Sequence, residues 1–427
     1  MSDVTSIMHR NEPSAACNWH LASYNRYRLN VVLSFYSTHW RVLVNSGTSD
    51  FLSASRWAAA FFVVIYHVFG ISVSYSGPQS LPFRCVHFLC GFGHIAVIVF
   101  FVISGFLVGG GNILRLENKG FDLIDYFIHR FARIYTVLLP ALIAGFMLDR
   151  LGITLFDGSE IYHHPDGFYS NEFGNDLTTH LGLVTFIGNL LQLQTIAVST
   201  FGSNGPLWSL ANEWWYYVVF GFFILAYHTR SMFARIFAGF VILAGVILLP
   251  PKISLWFVMW GIGAGVAVLD RYWAGFSFHF AATIALICLI VVRLTYRYMD
   301  TVNLDFILDL VVALGFSVAL VSAKNHKGPQ RFWTANRRLA SFSYSLYLVH
   351  FPVMVFVAVV IKDVFDISFE RPPSAAASLY GAALLVIIYG FAWIFASATE
   401  AHTDTIRSRL SLAISDRTHS LGSTRTS

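Results

Sequence analysis

Charged residues are scarce in this chain of 427 residues. Asp, Glu, Lys and Arg together make up only 12% of it, whereas hydrophobic residues make up 56%. Because a soluble globular protein carries about 25% charged residues, the composition excludes a soluble enzyme or binding module. The apolar residues form continuous runs of roughly 20 residues, the length of a membrane-spanning helix, rather than the short alternating segments of a β-barrel. We therefore predict an all-α, polytopic transmembrane helix bundle.

Cysteine is also rare. The four cysteines are Cys17, Cys85, Cys90 and Cys288. Their spacing matches no metal-binding pattern, so no metal site is predicted. Only Cys85 and Cys90 are close in sequence, in a predicted outer loop. There, a local disulfide and two unpaired thiols are equally compatible with the sequence.

About ten apolar segments are long enough to cross a membrane. They lie at 57–75, 92–111, 132–149, 207–227, 235–250, 253–269, 276–293, 304–323, 341–361 and 375–397. Alternate threading puts the loops rich in Lys and Arg on the same side as both chain ends, so we predict that both termini are cytoplasmic. Arg293 and Arg297 are exceptions at the outer side. Membrane topology thus explains the net charge of +5, and no nucleic-acid partner is predicted.

Three regions follow from these segments. Residues 1–50 lack the pattern of a cleaved signal peptide and are predicted to be a cytoplasmic extension. Residues 51–400 form the predicted transmembrane domain. Residues 401–427 are rich in Ser, Thr and Arg and are predicted to be a disordered cytoplasmic tail. Within the outer loop 150–206, the second half is too polar to span, which predicts a re-entrant segment or one lying along the outer interface.

Two ionisable residues lie in the first apolar stretch, RWAAAFFVVIYHVFG. Arg56 and His67 are eleven residues apart, which on an α-helix places them on one face, about 16 Å apart along the axis. Ionisable residues inside a membrane span are costly and usually mark a site. Considered alone, the pair has two equally good explanations. It is either a functional site, or an arginine that reaches the headgroups and a histidine that serves packing.

Four segments and one basic motif suggest a family when taken in order. They are RWAAAFFVVIYH (56–67), VFFVISGFLV (99–108), HRFAR (129–133), GPLWSLANEWWYY (205–217) and SFSYSLYLVHFPV (341–353). Together they resemble the integral-membrane acyltransferase-3 family, whose members modify bacterial surface glycans. The resemblance covers roughly residues 50–400 in the order and on the spans that the family uses.

The resemblance implies that Arg56 and His67 are the catalytic pair. An imidazole there can take a proton from an acceptor hydroxyl or attack a thioester itself, and the sequence does not choose between these routes. Arg130 and Arg133 match the family's Arg-x-x-Arg pair, which implies a grip on the phosphates of acyl-CoA. Without the family, anchoring of these arginines at the membrane surface is the simpler interpretation.

Glu213 occupies the family's glutamate position, although Trp214 and Trp215 replace the polar residues that often follow it. It is expected either to orient His67 or to pair structurally with a neighbouring Arg or His.

The motif around His350 also matches the family. His350 follows Tyr344 and Ser345 at the matching places, and an interhelical hydrogen bond is a slightly favoured alternative to a functional role. Ser104 precedes Gly105 in a motif that indicates close helix packing.

The resulting prediction is an O-acyltransferase of the bacterial inner membrane. It would move an acyl group, by default acetyl, from cytoplasmic acyl-CoA to a hydroxyl of a cell-surface or exported glycan or a lipid-linked saccharide. We expect no bound cofactor, with acyl-CoA as donor substrate and membrane lipid as surroundings. The alternatives are a proton-coupled secondary transporter or flippase, in which His67, Glu213 and His350 form a proton relay, and a non-catalytic sensor. Transporters often show two related halves, which this sequence does not.

Overall fold

The described part of the chain is almost entirely helical. A computed structural model describes residues 45–72, 80–157, 159–163, 176–298, 304–326, 330–365 and 374–423. Within these ranges the only β-type pairing is an isolated bridge between Gln194 and Val198, so the prediction of an all-α bundle is confirmed. The predicted extension 1–50 lies outside the described residues up to position 44.

The helices follow the apolar segments of the sequence. They are α1 (Ser46–Ser72), α2 (Leu81–Cys90), α3 (Gly93–Ser104), α4 (Gly111–Lys119), α5 (Leu123–Leu155), α6 (Glu160–His163), α7 (Leu183–Leu190), α8 (Trp208–His228), α9 (Met232–Leu248), α10 (Pro251–Leu269), α11 (Phe278–Tyr298), α12 (Asp305–Ser322), α13 (Gln330–Ala340), α14 (Ser343–Phe365), α15 (Ala375–Ala398) and α16 (Thr403–Ser423). One turn of π-helix, Gly105–Gly110, joins α3 to α4. A helix is found at each of the predicted spans.

Eight helical stretches of the described chain are long and apolar enough to cross a membrane. Of the predicted spans, α9 is shorter than these, with 17 residues. The other outlier is α8, whose first two turns carry polar residues such as Asn212 and Glu213. The chain is therefore a multi-pass membrane protein, in which α9 is set apart by its length and α8 by the polar residues of its first two turns.

The first helix begins earlier than its hydropathy indicates. The sequence predicts a span from residue 57, whereas α1 begins at Ser46. Its added turns are polar but held by tertiary contacts, because Asp50 forms an ion pair at 3.1 Å with Arg337 of α13. As a result, Arg56 lies well inside α1 and not near its end.

The crossing of α3 and α10 is unusually close. A side chain at Gly105 would clash with the backbone carbonyl of Trp260, and one at Gly263 would clash with the carbonyl of Val102. Small residues allow such an approach between helices in a membrane. The packing predicted for the Ser104–Gly105 motif is thus confirmed, and it places Ser104 beside the Trp260 indole at 3.1 Å.

The segment between α5 and α8 enters the bundle. The Tyr135 hydroxyl of α5 donates to the Leu190 carbonyl at 2.8 Å, and the Trp215 indole of α8 donates to the Gln192 carbonyl at 2.9 Å. Gln192 and Thr195 have left-handed backbone angles, φ 59° and 64°, a conformation uncommon for residues other than glycine. These contacts with two bundle helices favour the re-entrant alternative over a segment lying along the interface.

The same segment supplies a hydrogen bond that the backbone of α14 lacks. Pro352 has no backbone N–H, so the carbonyl of Leu348, four residues earlier, loses its helical donor. The Asn204 side chain donates to that carbonyl at 2.8 Å instead. The residues just before α8 are thereby fixed against α14, two residues from His350.

We predict that Asn204→Ala destabilises the protein by about 1–3 kcal/mol, because it leaves the buried Leu348 carbonyl unpaired. Pro352→Ala restores a backbone donor for that carbonyl, so the loss should be much smaller in the double variant. Thermal unfolding in detergent of the two single variants and the double variant measures this coupling. Simple additivity of the two losses would contradict the assignment.

The outer loop predicted around the cysteines is instead helix α2. Cys85, Cys90 and Cys288 are all free, so the alternative of a local disulfide does not hold. Arg293 donates to the carbonyl of Phe88 at 3.2 Å and to that of His87 at 3.4 Å. Because the last carbonyls of a helix need donors, this contact accounts for Arg293, which the predicted topology left as an exception.

The tail also differs from its prediction. Residues 403–423 form α16, where disorder was predicted from composition. Leu410 and Ile414 of α16 line an apolar groove together with Phe127 and Phe131 of α5. Contact between these apolar side chains orders α16 against α5, although the average composition of α16 is polar.

Candidate functional site

Two histidines from distant parts of the chain meet in the interior. The His350 Nε2 atom lies 3.0 Å from His67 Nδ1, joining α14 to α1. His350 is fully buried, and His67 is only 6% exposed. A direct imidazole–imidazole hydrogen bond inside a membrane span is costly unless it serves a purpose, so this histidine pair is the strongest mark of a site.

The surroundings of His350 are fixed by Tyr347. The His350 Nδ1 atom lies 2.7 Å from the Tyr347 carbonyl. The Tyr347 hydroxyl lies 2.6 Å from the Ser209 hydroxyl and donates to the Pro206 carbonyl at 3.1 Å. The start of α8 is thus held against α14 at the level of the histidine pair.

A second polar cluster surrounds Glu213. Ser104 donates to the Glu213 carboxylate at 2.6 Å, and the Tyr217 hydroxyl donates to the same oxygen. The Trp260 indole in turn donates to the Ser104 hydroxyl. Among the described residues, Glu213 therefore takes its hydrogen bonds from two hydroxyls and not from an imidazole.

A third cluster centres on Arg133. Its guanidinium donates to the Glu400 carboxylate at 2.9 Å and lies over the Tyr344 ring, 4.7 Å from its centroid. The other oxygen of Glu400 accepts from the backbone N–H and the hydroxyl of Ser345 at 3.0 and 2.9 Å. Glu400, 1% exposed, thereby ties α5, α14 and the end of α15 together.

Arg130 and Arg56 have a different environment. Arg130 lies over the Tyr217 ring, 5.5 Å from its centroid. The Nε atoms of both arginines are buried, and neither has a hydrogen-bond partner among the described residues. A buried guanidinium donor without an acceptor is costly, which makes these two cations better placed than Arg133 to receive an anionic group.

Tyr344 belongs to the cluster of Arg133. The Arg133 guanidinium lies over its ring, and its buried hydroxyl has no hydrogen-bond partner among the described residues. The predicted site residues other than Arg56 therefore fall into a histidine pair and a neighbouring polar region. Ser104, Arg130, Arg133, Glu213, Tyr344 and Ser345 belong to that region, with α14 carrying members of both groups.

Several contributing residues were not found from the sequence. Glu400 follows the last apolar segment and reads there as an ordinary charge at a helix end. Tyr217 is four residues after Glu213, so an i, i+4 hydrogen bond across one helical turn was a recognisable signal. Trp260 and Tyr347 carry no signal, because an aromatic residue in an apolar span is ordinary.

A multi-pass helical bundle with buried, directly bonded histidines, a carboxylate and arginines has the features of a functional site inside a membrane protein. The chain belongs to the acyltransferase-3 family: the sequence profile described as an acyltransferase domain matches residues 49–397. The protein is therefore an acyltransferase.

Two curated relatives are similar to parts of the chain. An O-acetyl transferase of Shigella phage Sf6 is 26% identical over 330 residues, which cover 71% of this chain and 84% of the phage protein. An uncharacterized protein of Haemophilus influenzae is 32% identical over 134 residues, covering 30% of this chain and 49% of its own length. No solved structure matches the chain significantly.

Proposed function

We propose that the protein transfers an acyl group, by default acetyl, from acyl-CoA to a hydroxyl of a cell-surface or exported glycan or a lipid-linked saccharide. The observation that carries this proposal is the buried contact between His67 and His350 in a chain of the acyltransferase-3 family. The name of the phage relative, an O-acetyl transferase, supports acetyl as the default group and oxygen as the acceptor atom.

His67 is the proposed reacting group. Its imidazole either takes the proton of the acceptor hydroxyl or attacks the thioester and carries the acyl group briefly. Burial excludes bulk water, which would otherwise hydrolyse the thioester. Glu213, held by Ser104 and Tyr217, supplies a fixed hydrogen-bond acceptor in the neighbouring polar region.

The donor phosphates are assigned to the arginines. Arg130 and Arg56 have Nε donors without a described partner, and a guanidinium suits phosphate through paired hydrogen bonds. Arg133 is engaged with Glu400, but a guanidinium has five N–H donors and retains capacity for a further contact. We place these arginines at the cytoplasmic side of a bacterial inner membrane, with both chain ends cytoplasmic.

The test is an assay of the purified protein in lipid nanodiscs with radiolabelled acetyl-CoA and a de-acylated surface polysaccharide. The proposal predicts release of free CoA together with label on the glycan. Flux of a solute driven by a proton gradient, with no label transferred, would instead identify a transporter. Label transferred to a small molecule but not to glycan would keep the acyltransferase and overturn the acceptor.

A further inference from the structure

The hydrogen bonds of His350 determine where its protons lie. Its Nδ1 atom faces the Tyr347 carbonyl at 2.7 Å, and the Leu346 carbonyl is a second nearby acceptor. A carbonyl oxygen only accepts, so Nδ1 must carry the hydrogen. The imidazole is fully buried, and its polar contacts among the described residues are these carbonyls and His67. A neutral ring is therefore the favourable form, because a buried charge without a counter-charge is costly.

A neutral His350 with its hydrogen on Nδ1 has a lone pair on Nε2. That atom lies 3.0 Å from His67 Nδ1, and a hydrogen bond between the two nitrogens needs one donor. The donor must then be His67 Nδ1–H. The Val63 carbonyl, one helical turn before His67, is a further acceptor near the His67 ring. The remaining lone pair of His67 is then on Nε2.

We infer that His350 is a positioning residue that fixes His67 in the tautomer with hydrogen on Nδ1 and so makes Nε2 the reacting nitrogen. The inference rests on the proposed function for its chemical meaning, although the tautomer itself can be observed without any turnover. The backbone carbonyl of Tyr347 takes the place that a carboxylate has in other histidine sites: it orients the outer ring without adding a charge.

Both routes open to His67 use this nitrogen. As a base, Nε2 takes the proton of the acceptor hydroxyl while the oxygen bonds to the thioester carbon. The carbon–sulfur bond breaks, and the CoA thiolate recovers that proton from Nε2. As a nucleophile, Nε2 bonds to the thioester carbon and the thiolate leaves; the acceptor oxygen then displaces Nε2, and its proton passes to the thiolate. Neither route needs a further reactant.

The geometry also limits which substitutions can replace His350. The position needs a hydrogen-bond acceptor toward His67 Nδ1, which a glutamine side-chain oxygen supplies and a leucine of similar volume does not. His350→Gln and His350→Leu therefore form a matched pair: both remove the imidazole, and only one keeps the acceptor. Phe351, whose ring lies 5.1 Å from that of His67, stays in place in both variants and preserves the packing.

The test combines spectroscopy with kinetics. Nitrogen-15 solid-state NMR of the full chain in lipid bilayers, labelled on its 16 histidines, isolates the His67 signals by subtraction of the His67→Gln spectrum. The expected result is a protonated Nδ1 and an unprotonated Nε2. In His350→Leu the two His67 tautomers should mix. The kcat for acyl transfer should fall by ~10²-fold or more with the KM for acetyl-CoA unchanged, whereas His350→Gln should stay within about tenfold of wild type.

Different outcomes reject different parts of the account. A His67 ring protonated on Nε2 in the wild type would overturn the inference whatever the activity. Equal losses of kcat in the glutamine and leucine variants, with both proteins folded, would also overturn it, because a missing acceptor would then not be the cause. The expected tautomer in a protein that transfers no acyl group would leave the inference standing and reject the proposed function.

Discussion

Replacing His67 by alanine is expected to abolish acyl transfer while the protein remains folded. Under either chemical route the variant lacks the group that accepts the proton or the acyl, so the rate should fall by at least ~10³-fold. Since the pair with His350 is lost as well, His67→Gln provides a second variant of similar size. Initial rates of CoA release and of glycan labelling, measured with the purified protein, check the expectation.

The control for this prediction is His279→Ala. His279 is exposed at the start of α11 and belongs neither to the histidine pair nor to the neighbouring polar region. Its loss should therefore leave the rate within about twofold of wild type. Retention of more than a tenth of the wild-type rate by both His67 variants would show that the imidazole takes no part in the chemistry. Loss of a monodisperse protein in both variants would assign His67 to the stability of the fold instead.

The two arginines of α5 give the second large effect. Replacing Arg133 should lower the stability of the protein, whereas replacing Arg130 should weaken binding of the donor. Arg133→Met leaves the buried Glu400 carboxylate without its cation. Breaking a buried ion pair from one side costs about 3–5 kcal/mol, and the lower end applies because the Arg133 side chain is 28% exposed. We expect a clear fall of the melting temperature in detergent, by several degrees or more.

Arg130→Met, one helical turn away, is the matched comparison. Arg130 has no ion pair among the described residues, so its loss should leave the melting temperature nearly unchanged. If Arg130 binds the donor phosphates, the KM for acetyl-CoA should rise by ~10-fold or more. A large loss of stability in Arg130→Met with an unchanged KM would reverse the assignment and make membrane anchoring the better account.

The sequence predicts spans well where a helix is apolar throughout and poorly where tertiary contacts hold it. The first turns of α1 are polar, and the Asp50–Arg337 ion pair that holds them joins residues far apart in the chain. Helix α2 is short and contains Pro82 in its first turn together with an arginine and a histidine, so its sequence resembles a loop. Helix α16 has a polar average composition. That average hides Leu410 and Ile414, which line an apolar groove with α5.

For the site, residue types could be identified but pairings could not. His67 and His350 are separated by 283 positions, and Arg133 and Glu400 by 267, so no local pattern reports either contact. Glu213 and Tyr217 are one helical turn apart, and their hydrogen bond was within reach of sequence reasoning. Hydropathy locates ionisable residues inside a span, whereas choosing their partners requires the packing of the helices.

The most direct test of the proposed chemistry is mass spectrometry of surface polysaccharide from cells that lack their own copy of the gene. The cells carry either the wild-type protein or His67→Gln, matched for the amount in the membrane. The account predicts the mass increment of one acyl group on the glycan with the wild type, acetyl by default, and its absence with the variant. Equal acylation in both strains would contradict the assignment of His67 as the reacting group.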